Sequence, residues 1–173
     1  MSEKLIVGID CGTQSLRAAV FRPDGALLGS AAKAYPTQRP RVNWAEQDPA
    51  DWWDALCDAV PRCLDEAGVS GADIAALACD GTSCTAVFCR EDGTPLRPAI
   101  LWMDIRAADE ARQVEETADT ALEYCGRRVS AEWLLPKVLW VQREQPDVYQ
   151  AADRVIEGVD WLTHRLTGRW VTS

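Results

Sequence analysis

One short stretch has the residue types and spacing to hold a phosphate: Gly8-Ile-Asp-Cys-Gly-Thr-Gln-Ser15. It follows an apolar run at residues 5–9 and reads as a tight turn at the end of a buried strand. Successive backbone N–H groups in such a turn point at one place and form an anion nest. Gly12 lets the backbone approach a phosphate closely, and Thr13, Gln14 and Ser15 add side-chain donors. Asp10, at the strand end, can hold Mg²⁺ directly or through water near the phosphates. The same residues also suit an ordinary β-hairpin turn with a solvated aspartate.

Three further stretches carry polar chemistry. Asp80-Gly-Thr-Ser-Cys-Thr85 lies between two strand-like runs. Its small residues, Ser83 and Cys84 among them, can present main-chain and hydroxyl groups to a polyol. Leu101-Trp-Met-Asp-Ile-Arg106 puts an aromatic, an acid and a base two residues apart. Trp102 would pack on the C–H face of a sugar, Asp104 would accept from its hydroxyls, and Arg106 would fix Asp104. The alternative is an aspartate helix cap followed by an exposed arginine. Trp44-Ala-Glu46-Gln47-Asp48-Pro49 reads either as a loop whose Trp and Glu reach an active cleft or as the lead-in to a capped helix. Trp53, just beyond it, is read as core.

The elements that must position these residues follow from apolar patterning. Strand-like runs at residues 5–9, 16–21 and 26–35 alternate with a turn at Pro23-Asp-Gly25, giving a β-meander. An irregular loop over 36–47 leads to a helix that Asp48 can cap and whose first turn suits Pro49. Trp53, Leu56, Val60, Leu64 and Ala67 fall on one face of that helix, and Gly68 ends it. Pro61 lies inside and should remove a hydrogen bond and kink it. A buried strand is expected at 74–79, strands at 86–89 and 99–102, and helices at 106–118, 131–144 and 158–166. A dinucleotide-binding fold would open β-α-β. The meander points instead to the ribonuclease-H-like half of an actin-type ATPase, an α/β domain with a mixed sheet flanked by helices.

Bulk properties narrow the function class. The chain has 173 residues, 47% hydrophobic and 26% charged, which fits one globular domain or one with a second begun. A net charge of −9 without a basic cluster argues against a nucleic-acid partner. Any anionic substrate must be held by local donors against that field. Seven cysteines without a C-x-x-C, and one histidine, argue against a disulfide framework and against a zinc site. No signal-peptide core and no long apolar stretch occurs, so no membrane partner and a reduced, cytoplasmic location are expected.

With the D-x-G-T turn, W-x-E-Q-D-P, and W-x-D-x-R in this order, the chain resembles the FGGY carbohydrate kinases over nearly its whole length. Ser130-Ala-Glu-Trp-Leu-Leu-Pro-Lys137 and Asp153-Arg-Val-Ile-Glu157-x-x-Asp160-Trp resemble the ribulokinase branch, as does the D-x-T-S-C-T loop. The stretch between Thr85 and Trp102 is short, more like the xylulokinases. The resemblance implies an enzyme that transfers the γ-phosphoryl of ATP, with Mg²⁺, to a hydroxyl of a ketopentose, ribulose-like or xylulose, or a related polyol. It implies a main-chain sugar contact near Ser83 and a sugar-hydroxyl contact from Lys137, for which the alternative is a salt bridge to Glu132 or Asp104. It further implies that residues 1–173 are part of an N-terminal domain. The proton-accepting base and the ATP-binding domain would lie beyond them, the piece alone would be inactive, and the parent would be a homodimer. A non-catalytic sugar-binding module and another actin-like ATPase, such as a chaperone, are the competing readings. The chaperone reading leaves W-A-E-Q-D-P and W-M-D-I-R without explanation.

Overall fold

The computed structural model describes residues 4–172, so Met1–Glu3, ahead of the apolar opening run, lie outside the described residues. In chain order the strands and helices are β1 (Leu5–Cys11), β2 (Ser15–Phe21), β3 (Leu27–Ala34), β4 (Glu46–Gln47), α1 (Pro49–Ala67), β5 (Ile74–Gly81), β6 (Ala86–Cys89), β7 (Ala99–Ile100), α2 (Ala108–Glu116), α3 (Leu134–Glu144), α4 (Pro146–Ala151), β8 (Arg154–Glu157) and α5 (Gly158–Thr167). They form two compact units. The first takes the chain up to Thr37 and again Ala50–Thr82, and the second takes Gln38–Pro49 and the chain from Ser83 onward. None of the described helices is long and apolar enough to cross a membrane.

The first unit is built on the expected meander. Its sheet runs β3-β2-β1-β5, with β1–β2 and β2–β3 antiparallel and β1–β5 parallel. Leu5, Val7, Ile9 and Cys11 alternate onto the buried face of β1, matched by Leu16, Ala18 and Val20 of β2. Helix α1 buries Trp52, Ala55, Leu56, Ala59 and Cys63. The expected face through Trp53, Val60, Leu64 and Ala67 is only half-buried. The correction is a rotation of the helix toward its small residues, which let it come close to the sheet. Gly29 marks the closest approach: a Cβ there would lie 2.6 Å from the Ala67 nitrogen and 2.7 Å from the Cys63 carbonyl oxygen.

The helix continues through Pro61 without interruption. Cys57 and Pro61 are both exposed, so the carbonyl deprived of its donor stands on the water side. Gly68 ends the helix in the left-handed region at φ +67°, and the Val69 N–H closes on the Leu64 carbonyl at 3.1 Å. Strand β5 was expected to be buried, and here the structure differs. Residues 75–78 are exposed. Among the described residues β5 pairs with β1 alone, which leaves its other edge open.

The second unit has a sheet ordered β4-β7-β6-β8, antiparallel throughout. Strand β6 is completely buried, and its Phe88 packs with Ile100, Ala107, Trp140 and Val141. Two short strands went unread in the sequence. Strand β4 falls in the stretch expected to be an irregular loop, and β8 falls in the Asp153–Asp160 motif. Helix α3 begins at Leu134, later than the expected 131, and α4 follows with Pro146 in its first turn. Helix α5 stops at Gly168, φ +68°.

The close approach at Gly29 yields a stability prediction. Gly29→Ala forces a methyl group against two backbone atoms, and overpacking of this kind costs about 1–3 kcal/mol. Urea unfolding should show that loss, while Gly71→Ala, where an added Cβ meets nothing within 4 Å, should leave the midpoint nearly unchanged.

Candidate functional site

In the first unit the predicted phosphate turn joins β1 to β2. The Gly12 N–H donates to the Ser15 carbonyl at 3.1 Å and closes the turn. Gly12, Thr13 and Ser15 are half-buried and Gln14 is exposed. A Cβ on Gly12 would stand 3.3 Å from the Ser15 oxygen, 3.7 Å from Arg17 Nη1 and 3.8 Å from Asp10 Oδ1. The missing side chain therefore keeps open the space beside the turn that a charged group would enter.

Asp10 stands on the open face of the sheet, with its side chain about half exposed, and pairs with Arg17 at 2.9 Å. The antiparallel register places Arg17 directly opposite Asp10. The parallel register places Asp80 beside Asp10 on the other flank. A shallow depression lined by Gly8, Ala19 and Phe21 runs up to Asp10 and Arg17. Sequence reasoning missed Arg17. Its signal was the alternation of β2, which can put a residue of that strand across from the strand-end aspartate. Among the described residues no cluster of three or more His, Cys, Asp or Glu is arranged to enclose a metal. A single accessible carboxylate suits Mg²⁺ nonetheless, because that ion keeps most of its waters and takes its other ligands from phosphate.

In the second unit the remaining predicted residues converge, but not as expected. Lys137, on α3, is fully buried. Its Nζ donates to the carbonyls of Cys84 at 2.6 Å, Leu101 at 2.8 Å and Trp102 at 3.4 Å. Burial draws its pKa down to about 8, against the pull of neighbouring groups that include the Asp104 and Glu132 carboxylates. It remains an ammonium at neutral pH, with its three N–H groups matched to three acceptors. The Cys84 backbone is left-handed, φ +60°, and its N–H donates to Glu157 Oε2 at 2.9 Å. The Ser83–Cys84 loop is thus held by Lys137 on its carbonyl and by Glu157 on its amide. Glu157 is the other residue whose role the sequence reading missed.

Asp104 is also fully buried. Its Oδ1 accepts from the Arg106 backbone N–H and Nε, both at 2.9 Å, and its Oδ2 accepts from the Ala45 N–H at 2.6 Å and Arg106 Nη2 at 2.7 Å. The Arg106 guanidinium lies 3.8 Å over the Trp44 ring and 5.0 Å from Trp140, and it pairs with Glu46 at 2.8 Å. Glu46 also pairs with Arg97, and Trp44 meets Trp140 edge-on with centroids 5.2 Å apart. W-A-E and W-M-D-I-R are therefore two halves of one buried ion cluster.

Several expected site residues are engaged within this chain: Asp104 accepts from Ala45 and Arg106, and Lys137 donates to three main-chain carbonyls. Lys137 bonds main-chain carbonyls and not Glu132 or Asp104. Trp44 and Glu46 belong to the interior, not to a cleft. Of the predicted sugar-site residues, exposed Ser83, half-buried Cys84 and exposed Trp102 keep accessible surface, on the two segments that Lys137 ties together.

Comparison with known proteins places this geometry. Residues 5–173 match the model of the FGGY family of carbohydrate kinases, N-terminal domain. A ribulokinase of Mycolicibacterium smegmatis is 38% identical over 98% of this chain and 35% of its own length. A xylulose kinase of Escherichia coli K12 is 30% identical over 98% of this chain and 34% of its own length. The crystal structure of xylulose kinase from Rhodospirillum rubrum superposes with a TM-score of 0.89 at 27% identity, over 97% of this chain and 35% of that one. The chain thus spans about a third of the length of the relatives it matches. With the meander, the Asp10–Ser15 turn and a match running from Leu5 to the last residue, the chain belongs to the FGGY family of carbohydrate kinases, within its N-terminal domain.

Proposed function

We propose that this chain contributes the phosphate turn and part of the sugar site of an ATP-dependent pentulose kinase. The observation that carries the reading is the Asp10–Ser15 turn, where a strand-end carboxylate, a glycine-cleared space and the Arg17 guanidinium meet on one open sheet face. Gly12 leaves room for phosphate oxygens to approach, and Thr13, Gln14 and Ser15 are the residues of the turn that carry side-chain donors. Asp10 is the residue that would hold Mg²⁺. The ion, when bound, neutralises charge that develops on the transferred phosphoryl group. Arg17 supplies positive charge locally in a chain of net charge −9.

Sugar contact falls to the Ser83–Cys84 main chain and side chains and to Trp102. Lys137, Asp104, Arg106 and Glu157 fix where those groups stand. Ribulose is the preferred acceptor, because the ribulokinase relative has the higher identity, 38% against 30% for the xylulose kinase. The match to ribulokinase extends over 198 aligned residues and that to xylulose kinase over 169, so in length this chain is nearer the xylulose kinase. Seven unpaired cysteines fit a reducing, cytoplasmic setting.

Three outcomes follow for the protein that carries this chain. A coupled ATP-consumption screen over pentuloses, hexuloses, glycerol and erythritol should show turnover on a pentulose, with ribulose favoured. Turnover on glycerol or a hexulose alone would overturn the acceptor assignment. Asp10→Ala should lower kcat on the order of 10²-fold or more while the sugar KM changes little, because the ion it holds matters most as charge moves. Lys137→Met should lower stability, measured by urea unfolding, by about 1–3 kcal/mol, since it strips three carbonyls of their donor, that of Leu101 in a buried contact. A raised sugar KM with unchanged stability would show instead that Lys137 touches substrate directly.

A further inference from the structure

One acid of the Ser130–Lys137 motif, Glu132, is held differently from the other acids of the second unit. It sits in a closed turn ahead of α3. The Trp133 N–H donates to the Ser130 carbonyl at 3.1 Å, and the Glu132 N–H donates to Ser130 Oγ at 3.2 Å. Ser130 Oγ in turn lies 3.4 Å from Glu132 Oε2. Glu132 is half-buried, and Lys137 stands in the first turn of the helix that follows.

A polyol brings hydroxyl donors that need acceptors, and the acceptors around Lys137 are unequally occupied. The carbonyls of Cys84, Leu101 and Trp102 already accept from Lys137 Nζ. Both Asp104 oxygens accept from Ala45 and Arg106, and Glu157 Oε2 accepts from the Cys84 N–H. Among the described residues the Glu132 carboxylate receives one hydrogen bond, from the Ser130 hydroxyl. That contact is longer than the roughly 2.5–3.0 Å of a good O–H···O bond. Most of the acceptor capacity of Glu132 is therefore unspent. Its place in the fold is nevertheless set by the turn and by charge. Glu132 is one of the carboxylates whose pull opposes the effect of burial on Lys137, so it lies within electrostatic reach of that ammonium. The ammonium itself touches the Cys84 and Trp102 carbonyls at 2.6 and 3.4 Å. Glu132 thus stands close to the junction of the two segments that carry Ser83, Cys84 and Trp102.

We propose that Glu132 is a sugar-binding residue, whose carboxylate accepts a hydrogen bond from one hydroxyl of the ketopentose and so discriminates against acceptors that lack it. The inference rests on the reading of Ser83, Cys84 and Trp102 as sugar-contacting surface. Ser130 steers the carboxylate without using it up. A hydrogen bond to a charged acceptor is stronger than one between neutral groups. A site built on such an acceptor rejects an analogue without the hydroxyl, because the acceptor is then left unpaired.

The test uses the complete protein that carries this chain, assayed with the pentulose that it phosphorylates best. Glu132→Ala should raise the sugar KM about ten- to a hundredfold, as expected for loss of one hydrogen bond to a charged group, while kcat and the ATP KM change far less. Glu132→Gln keeps the size of the side chain and one acceptor oxygen, and its sugar KM should fall between. It carries the test alone where the shorter side chain costs stability. Pentuloses that each lack one hydroxyl complete the experiment. One of them should bind the unmodified enzyme more weakly by a similar factor, and with that sugar neither variant should cause a further loss. An unchanged sugar KM in both variants would overturn the proposal. An equal penalty with every deoxy sugar would overturn it too, since Glu132 would then act as a balancing charge for Lys137 and not on a hydroxyl. If the unmodified enzyme phosphorylates no pentulose, the reading of the sugar surface falls, and this proposal with it.

Discussion

A carboxylate removed from water must be surrounded by donors, and Asp104 imposes that requirement on the second unit. Leaving such a charge unmatched in the interior is a cost of several kcal/mol. Both Asp104 oxygens are therefore met twice, by the Ala45 amide and by three N–H groups of Arg106. Arg106 in turn is shielded by the Trp44 face and matched by Glu46, and Glu46 draws in Arg97. A chain of obligations starting at one buried acid thus fixes β4 against β7 and sets the path of the chain into Leu101 and Trp102. The surface at Trp102 inherits its shape from that chain.

Much of this was legible in the residues. The meander, the turn at Asp10–Ser15 and the α1 stop at Gly68 follow from local rules about apolar runs, glycine and caps. Pairings across the chain were not legible. Asp104 and Arg106 look like ligand-binding groups because a linear sequence shows charges without showing what covers them. Only the fold reveals that Ala45, 59 positions away, and Trp44 close over them. The partners of Lys137 were hidden for the same reason. Carbonyls carry no sequence signal, so a lysine that binds three of them resembles one that binds a hydroxyl. Strand β8 was hidden because four residues, two of them charged, give too little alternation to see. Strand β5 reads as buried because its residues are apolar, whereas among the described residues nothing pairs with its second edge.

Two acids of this chain are held in opposite ways. Asp104 is dry and bonded through both oxygens. Asp10 and Arg17 are more than half exposed and joined by a single contact. Such a pair is weakly held in water, so an arriving phosphate or cation can separate it at little cost.

The parallel pairing of β5 with β1 also bears on the order in which the first unit assembles. The hairpin β1–β2 joins Cys11 to Leu16, whereas Asp10 and Asp80 stand seventy positions apart. Loop-closure entropy rises with the logarithm of loop length, a difference of about 2 kcal/mol between these two closures. The meander can form as soon as its own residues are available, and β5 joins a ladder edge that is already in place. Strand β5 is also the last of this sheet's strands in chain order, so its pairing with β1 is the long-range step in building the sheet.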